Sequence, residues 1–285
     1  MTTLPPEPAG TDKTEGLDRT RAAHLQRQVA EGFGAEADRY ERARPTYPAD
    51  LVNRIIAASP GRAGSRPCVL DVGCGTGISS RLLAAAGCQV LGVDPDPRMA
   101  ELARQGGTET EVAKFEDWDP AGRTFDAVVA AQSWHWVDPI AGAAKAAAVL
   151  RPGGRLAVFW NAFDPPKHLR EAFAQVFRRV LPESPFGHVL DRPAVDAYRA
   201  GYAKVADTLR QAGTFGEPEE WLSYWERPYT RDEWLDLVLT TGGFTQHPEA
   251  IQAELLDGLG AAVEEAGGTF TMSYTTVAAT AARCP

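Results

Sequence analysis

No apolar run in the 285-residue sequence approaches the roughly 20 residues a membrane-spanning helix needs, which argues against an integral membrane protein. Basic residues are the minority: 29 Lys and Arg stand against 38 Asp and Glu, a formal net charge of −9. No basic block stands out, so a groove that tracks nucleic-acid phosphates is not expected. Cysteine is scarce. Cys68, Cys74, Cys88 and Cys284 form no C-x-x-C pair, and four free thiols in a reducing cytoplasm are expected rather than disulfides or a metal centre. His24, His168, His188 and His247 lack ligand spacing, so no metal is proposed. The N-terminus has no apolar core of a secretory signal, and residues 1–16 read as a polar, disordered tail. Internal repeats are missing, as is long low-complexity sequence apart from an alanine-rich helix at 141–148. What remains, with 44% hydrophobic and 24% charged residues, is ordinary for a globular protein that forms one large domain or a domain with an insertion.

Strand and helix signals alternate through the first half. A helix is expected over 18–34, and "PTYPADLVNRIIAAS" places proline near the start of another. Then come strand "PCVLDVG", helix "ISSRLLAAAG" closed by Gly87, strand "CQVLGVD" and helix "PDPRMAELARQGG". A third strand "ETEVAKF" and a fourth "FDAVVAAQS" precede helix "DPIAGAAKAAAVL", with Asp138 as cap and Pro139 in its first turn. "RPGG" breaks that helix before a fifth strand, "RLAVFWN". Such alternation predicts a doubly wound parallel sheet. It is lost over 163–268, where helix-like stretches flank a possible sixth strand, "EWLSYWERPY". The alternating, β-branched "TFTMSYTTVAAT" reads as a final strand. The expected division is a tail (1–16), a helical lid segment (17–60), a ligand-binding core (61–162), a specificity insertion (163–268) and the last strand (269–285).

The turn "VLDVGCGTG" puts Gly73, Gly75 and Gly77 where a strand hands over to a helix. Open parallel sheets bind ligands there. A dinucleotide turn wants G-x-G-x-x-G, but counting from Gly73 the sixth position is Ile78; a triphosphate loop wants Gly-Lys-Ser/Thr, and no lysine is present. Asp71 just ahead of the glycines would repel a pyrophosphate and attract an ammonium or sulfonium. Asp94, at the end of the second strand, can accept hydrogen bonds from both hydroxyls of a ribose.

Together, "VLDVGCGTG", "VLGVDPD", "FDAVVAAQSWHWVD" and "VLRPGGRLAVFW" resemble the successive motifs of class I S-adenosylmethionine-dependent methyltransferases. "FGAEADRYERARPTYP" is similar to the entry segment of the trans-aconitate methyltransferase-like small-molecule group. The resemblance implies a Rossmann-like, mostly parallel seven-stranded sheet with its last strand antiparallel, plus a mainly helical insertion. It implies that Gly73, Gly75 and Gly77 let the backbone approach the methionine part and ribose, that Asp71 supports the amino end, and that Asp94 holds the ribose. Phe115 would offer its backbone N–H to the adenine with Glu116 close by, although Lys114 and Phe115 replace the family's common dipeptide. Gln132 would lie by the methionine end.

His135, in "SWHWVD" after the fourth strand, is the expected catalytic residue, as a general base or as a holder of the acceptor; packing or capping is the alternative. Trp134 and Trp136 would wall the pocket, or Trp136 would be core. Tyr40, Arg44 and Tyr47 in "YERARPTYP" would form a lid, with Arg44 meeting a carboxylate, unless the stretch is a plain turn. Trp221, Trp225 and Trp234 are expected in the core. The expected activity is methyl transfer to a small molecule. A non-methylating scaffold or cyclase on the same fold and a protein methyltransferase stand as alternatives. Acceptor, acceptor atom and oligomeric state are not legible in the sequence.

Overall fold

The computed structural model describes residues 37–61, 64–183, 190, 193–241, 244 and 247–285, with Ala197 described by its backbone alone. The tail, the helix expected over 18–34, His24 and His188 lie outside the described residues.

Helices α1 (Ala37–Ala43) and α2 (Ala49–Ala57) precede β1 (Cys68–Val72), α3 (Ile78–Ala85), β2 (Gln89–Asp94), α4 (Pro97–Gln105) and β3 (Glu109–Val112). There follow β4 (Phe125–Ala131), a 3-10 turn (Trp134–Trp136), α5 (Pro139–Val149) and β5 (Leu150–Asp164). The second half holds α6 (Lys167–Val180), α7 (Ala194–Ala212), β6 (Glu219–Thr230), α8 (Arg231–Leu239), α9 (Glu249–Glu265) and β7 (Thr269–Ala282). The seven strands make one sheet in the order β3-β2-β1-β4-β5-β7-β6. β7 runs antiparallel to both neighbours, and the β1–β2, β2–β3, β1–β4 and β4–β5 pairings are parallel. The expected doubly wound sheet with a reversed last strand is thus present.

Local chemistry sets the element ends. Asp138 accepts from the N–H groups of Ile140 (3.0 Å) and Ala141 (2.8 Å), with Pro139 opening α5. Gly87 at φ 94° ends α3, as expected. The fifth strand differs from expectation: it starts at Leu150, not Arg155, because Leu150 already pairs with Phe125. The "RPGG" stretch is absorbed as an irregularity, after which Arg155 pairs with Ala127. Gly153 takes φ 76° there, and a side chain on Gly154 would lie 2.7 Å from Arg151 O. Those glycines make the bulge possible.

Strand side chains alternate between two faces. Leu70, Val72, Leu91, Val128 and Val158 pack with α5 and with Val205 and Leu209 of α7. Val69, Ala127, Val129 and Phe159 pack with Leu51, Val52 and Ile55 of α2 and Leu83 of α3. A third cluster joins Phe173 of α6, Trp234 of α8 and Leu259 of α9 to Tyr229 and Phe270 on β6 and β7. The long antiparallel pair thereby carries most of the helical insertion and sets it beside the carboxyl ends of the parallel strands.

Candidate active site

At the end of β1 the chain turns through Gly73, Gly75 and Gly77, at φ 63°, 56° and 87°. Only glycine adopts this left-handed backbone readily. The three do different work. A Cβ on Gly73 would lie 2.5 Å from Ser133 Cβ, and one on Gly77 would lie 3.2 Å from both Arg81 Nη1 and Thr108 Oγ1. Those two glycines let the turn pack against its own chain, whereas a Cβ on Gly75 would meet open space.

The turn's donors are largely committed internally. Gly73 and Cys74 N–H reach Val93 O (2.7 and 3.3 Å), Gly77 N–H reaches Cys74 O (2.9 Å), and Gly75 N–H reaches Asp94 Oδ2 (2.8 Å). A pyrophosphate cradle needs such donors turned outward; here they face inward.

Asp71 is fully buried, and its Oδ2 accepts from the hydroxyls of Ser79 and Ser80 at 2.6 Å each. Its Oδ1 is buried without a hydrogen-bond partner among the described residues. Burial raises its pKa to about 6, the two serines pull it down, and the nearby Asp94 charge adds to the rise. Asp94 is also raised to about 6 by burial, against the N–H groups of Asp96 and Gly75. Two desolvated carboxylates, one with an orphan oxygen, suit a ligand that brings hydroxyls and positive charge. S-Adenosylmethionine brings a ribose diol, an ammonium and a sulfonium. The residues fit it; a phosphate-rich dinucleotide fits poorly.

Past β3, the Phe115 ring is buried against Trp134 (centroids 6.3 Å apart). Glu116 Oε1 accepts from Asp138 N–H at 2.7 Å, tying this loop to the start of α5. Gln132 sits at φ 59° with its N–H on Phe159 O (2.9 Å). Trp134 is only 4% exposed and belongs to the core cluster, with Gly142 giving α5 room to approach its ring. Trp136 goes the other way, 40% exposed rather than core. The His135 ring lies against that of Trp136, centroids 4.7 Å apart and tilted by 46°, and the residue is exposed. Protein atoms still crowd its ring enough to lower its pKa below 6.5 by desolvation.

The lid residues gather over the same end of the sheet. Tyr47 is buried edge-on against Phe159 at 5.0 Å, within electrostatic range of Tyr40, Arg44, Asp71 and Tyr198. Arg44 lies over the Tyr40 ring (4.7 Å) and donates to Thr240 O. On one side of α1, Glu41 pairs with Arg81, which also donates to Thr76 O of the glycine turn (2.7 Å). On the other, Arg39 meets Asp236 of α8 at 3.6 Å. Sequence reading missed Tyr198 because it lies on α7, in the region without strand-helix alternation. It also missed Ser79, Ser80 and Arg81, although the serines in the first turn after the glycines are visible in "GISSR".

The methyltransferase-domain family matches residues 70–158. An uncharacterized methyltransferase of Mycobacterium tuberculosis is 38% identical over 141 residues, 49% of this chain and 56% of that relative. The match therefore spans little more than half that relative's length. Malonyl-[acyl-carrier protein] O-methyltransferase of Enterobacter lignolyticus is 33% identical over 177 residues, 61% of this chain and 67% of that protein. Trans-aconitate 2-methyltransferase of Methylobacterium nodulans is 32% identical over 190 residues, covering 64% of this chain and 63% of that protein. A solved structure from Anaeromyxobacter dehalogenans, proposed as a type II methyltransferase, covers 85% of this chain and 99% of its own. Its TM-score of 0.59 at 23% identity shows the same fold. The chain belongs to the S-adenosylmethionine-dependent methyltransferases. Among the described residues no helix is long and apolar enough to cross a membrane.

Proposed function

We propose that the protein methylates a small-molecule acceptor, taking the methyl group from S-adenosylmethionine. The observation that carries this reading is the cluster of aromatic and basic side chains beside Asp71. Tyr47 lies within electrostatic range of Asp71 and of Tyr40, Arg44 and Tyr198, and α1 is tied to the glycine turn and to α8. A site flanked so closely by side chains of its own chain suits a compact acceptor better than a polymer. The names of two relatives, for trans-aconitate and malonyl-[acyl-carrier protein], make carboxylate-bearing acceptors the first to try. Four free thiols suit a reducing cytoplasm.

When bound, S-adenosylmethionine supplies an electrophilic methyl group that is displaced in line from its sulfonium. The chain's part is to hold and align. Asp94 would accept from the ribose hydroxyls and Asp71 would face the amino end. The backbone at Phe115, beside Glu116, would meet the adenine, and Gln132 the methionine end. Gly73 and Gly77 keep the turn folded while Gly75 leaves its floor open. Alignment alone supplies roughly 7–11 kcal/mol of barrier lowering in such reactions. His135, whose ring is desolvated so that its pKa lies below the usual histidine value, would take the acceptor's proton at the exposed mouth. Trp136 beside it would contact the acceptor.

Incubation with S-adenosylmethionine and a panel of small carboxylic acids and phenols tests this, read as S-adenosylhomocysteine release and acceptor mass. Gain of one methyl group by a small acceptor supports the reading. Methylation confined to added proteins, or cofactor binding with no methyl product from any acceptor class, overturns it.

A further inference from the structure

Where β5, β7 and β6 run side by side, three consecutive cross-strand rows face the α1–α2 connection. Phe159, Ala278 and Trp221 are in register and apolar, and so are Phe163, Tyr274 and Trp225 two residues further along. Between them lies a row of opposite character: Asn161, Thr276 and Ser223, exposed by only 2%, 0% and 7%. Packing alone does not explain a polar row between two apolar ones, because each buried polar group must be repaid with a hydrogen bond.

All three side chains are satisfied, in a directed chain. Trp225 Nε1 donates to Thr276 Oγ1 (2.9 Å), and Thr276 Oγ1 donates to Asn161 Oδ1 (2.7 Å). Asn161 Nδ2 then donates to Thr46 O (3.0 Å). In the same row Ser223 Oγ donates to Asp50 Oδ2 at 3.1 Å, at the start of α2. Thr276, which accepts and donates through one hydroxyl, fixes the orientation of the amide: Oδ1 faces Thr276, so Nδ2 must face Thr46. The row therefore ends on both sides of Tyr47, the residue that reaches from this segment toward Asp71.

We propose that Asn161 is a positioning residue for the cofactor site: the Trp225–Thr276–Asn161 chain pins Thr46 and so holds the segment carrying Arg44 and Tyr47 over Asp71. The assignment rests on the reading of that site as the S-adenosylmethionine site. Asn161 acts through the backbone of 44–50, not by contact with the ligand. An ordered segment there lets ligand bind without first arranging it.

The test uses S-adenosylhomocysteine as probe, by calorimetry, with hydrogen exchange read on the amides of 44–50, in the full chain. Asn161→Leu keeps size and removes the donor to Thr46 O. The expected result is S-adenosylhomocysteine affinity about tenfold weaker together with faster exchange in 44–50, while amides of β1 and α3 keep their protection. Thr276→Val, which unlocks the amide's orientation, should move both readouts in the same direction by a smaller factor. A merely structural asparagine would lower Tm and leave the affinity of the folded protein unchanged; that result, or weaker binding without faster exchange in 44–50, overturns the assignment. Should Asn161→Leu not fold, Asn161→Ala, which also removes the donor to Thr46 O, carries the same two outcomes. Wild type that fails to bind S-adenosylhomocysteine would instead overturn the reading of the site itself.

Discussion

Gly75 donates its backbone N–H to Asp94 Oδ2 at 2.8 Å, joining the turn after β1 to the end of β2. One carboxylate thereby holds the shape of the glycine turn and, on the proposed reading, would also accept from a ligand's hydroxyls. Asp94 Oδ1 is held in turn by Asp96 N–H at 2.9 Å, so the carboxylate has a fixed orientation before any ligand arrives.

The three glycines should respond differently to alanine. Gly73→Ala forces a methyl group against Ser133 Cβ, 2.5 Å away, and keeps a left-handed backbone. Overpacking of about 1–3 kcal/mol adds there to roughly 1–2 kcal/mol of backbone strain. Gly75→Ala has open space and bears only the strain, but its methyl projects into the floor of the site. Thermal unfolding should rank Gly73→Ala well below Gly75→Ala, while calorimetry should show Gly75→Ala losing affinity for S-adenosylhomocysteine. Equal stabilities would show that Ser133 moves aside freely.

Asp71 ties stability to pH with an uncommon sign. Its native pKa is about 6, against roughly 3.9 in an unfolded chain. Between those values the native state binds more protons than the unfolded state, so this group's contribution to stability falls as pH rises from about 4 to 6. Asn in its place can still accept from Ser79 and Ser80 and carries no buried charge. Asp71→Asn should therefore raise Tm at pH 7.5 relative to wild type, with the gap shrinking toward pH 4, and should weaken S-adenosylhomocysteine binding. A gap that grows on acidification would contradict the assignment of a raised pKa.

His135 differs from Asp71 and Asp94 in exposure, since it is exposed while both carboxylates are buried. His135→Ala should leave S-adenosylhomocysteine affinity within about threefold, under 1 kcal/mol. Turnover should fall by roughly 10²–10⁴ if the imidazole is the base. The wild-type rate should rise with pH along a limb centred below about 6.5, the free histidine value, since the protein atoms crowding its ring desolvate it and lower this pKa. An effect confined to KM would make His135 a holder of the acceptor, and an unchanged pH profile in the variant would remove it from the chemistry.

The parallel half of the fold was legible because its signals are local. Short apolar runs end at glycine, Asp138 and Pro139 open α5, and Asp71 and Asp94 fall at strand ends. What lay hidden depends on contacts across long sequence separations. Asn161 and Thr46 are 115 residues apart, as are Asn161 and Thr276, and no periodicity marks such a pair. Trp134 and Trp136 are two residues apart and share a motif, yet one is buried and the other exposed, because a 3-10 turn, not a strand, presents them. Gly73 and Gly75 look equivalent in "GCGTG"; only the place of Ser133 separates them.

Calorimetric titration of wild type and Asp94→Ala with S-adenosylhomocysteine, alongside NAD as a phosphate-bearing control, tests the central claim most directly. On the proposed reading Asp94 would make charge-assisted hydrogen bonds to the ribose worth on the order of 1.5–3 kcal/mol each. Wild type should bind S-adenosylhomocysteine at roughly micromolar affinity, near −8 kcal/mol, and should not bind NAD. The folded variant should lose at least about tenfold, 1.4 kcal/mol. Tight NAD binding by wild type, or an S-adenosylhomocysteine affinity that does not change when Asp94 is removed, would contradict the account.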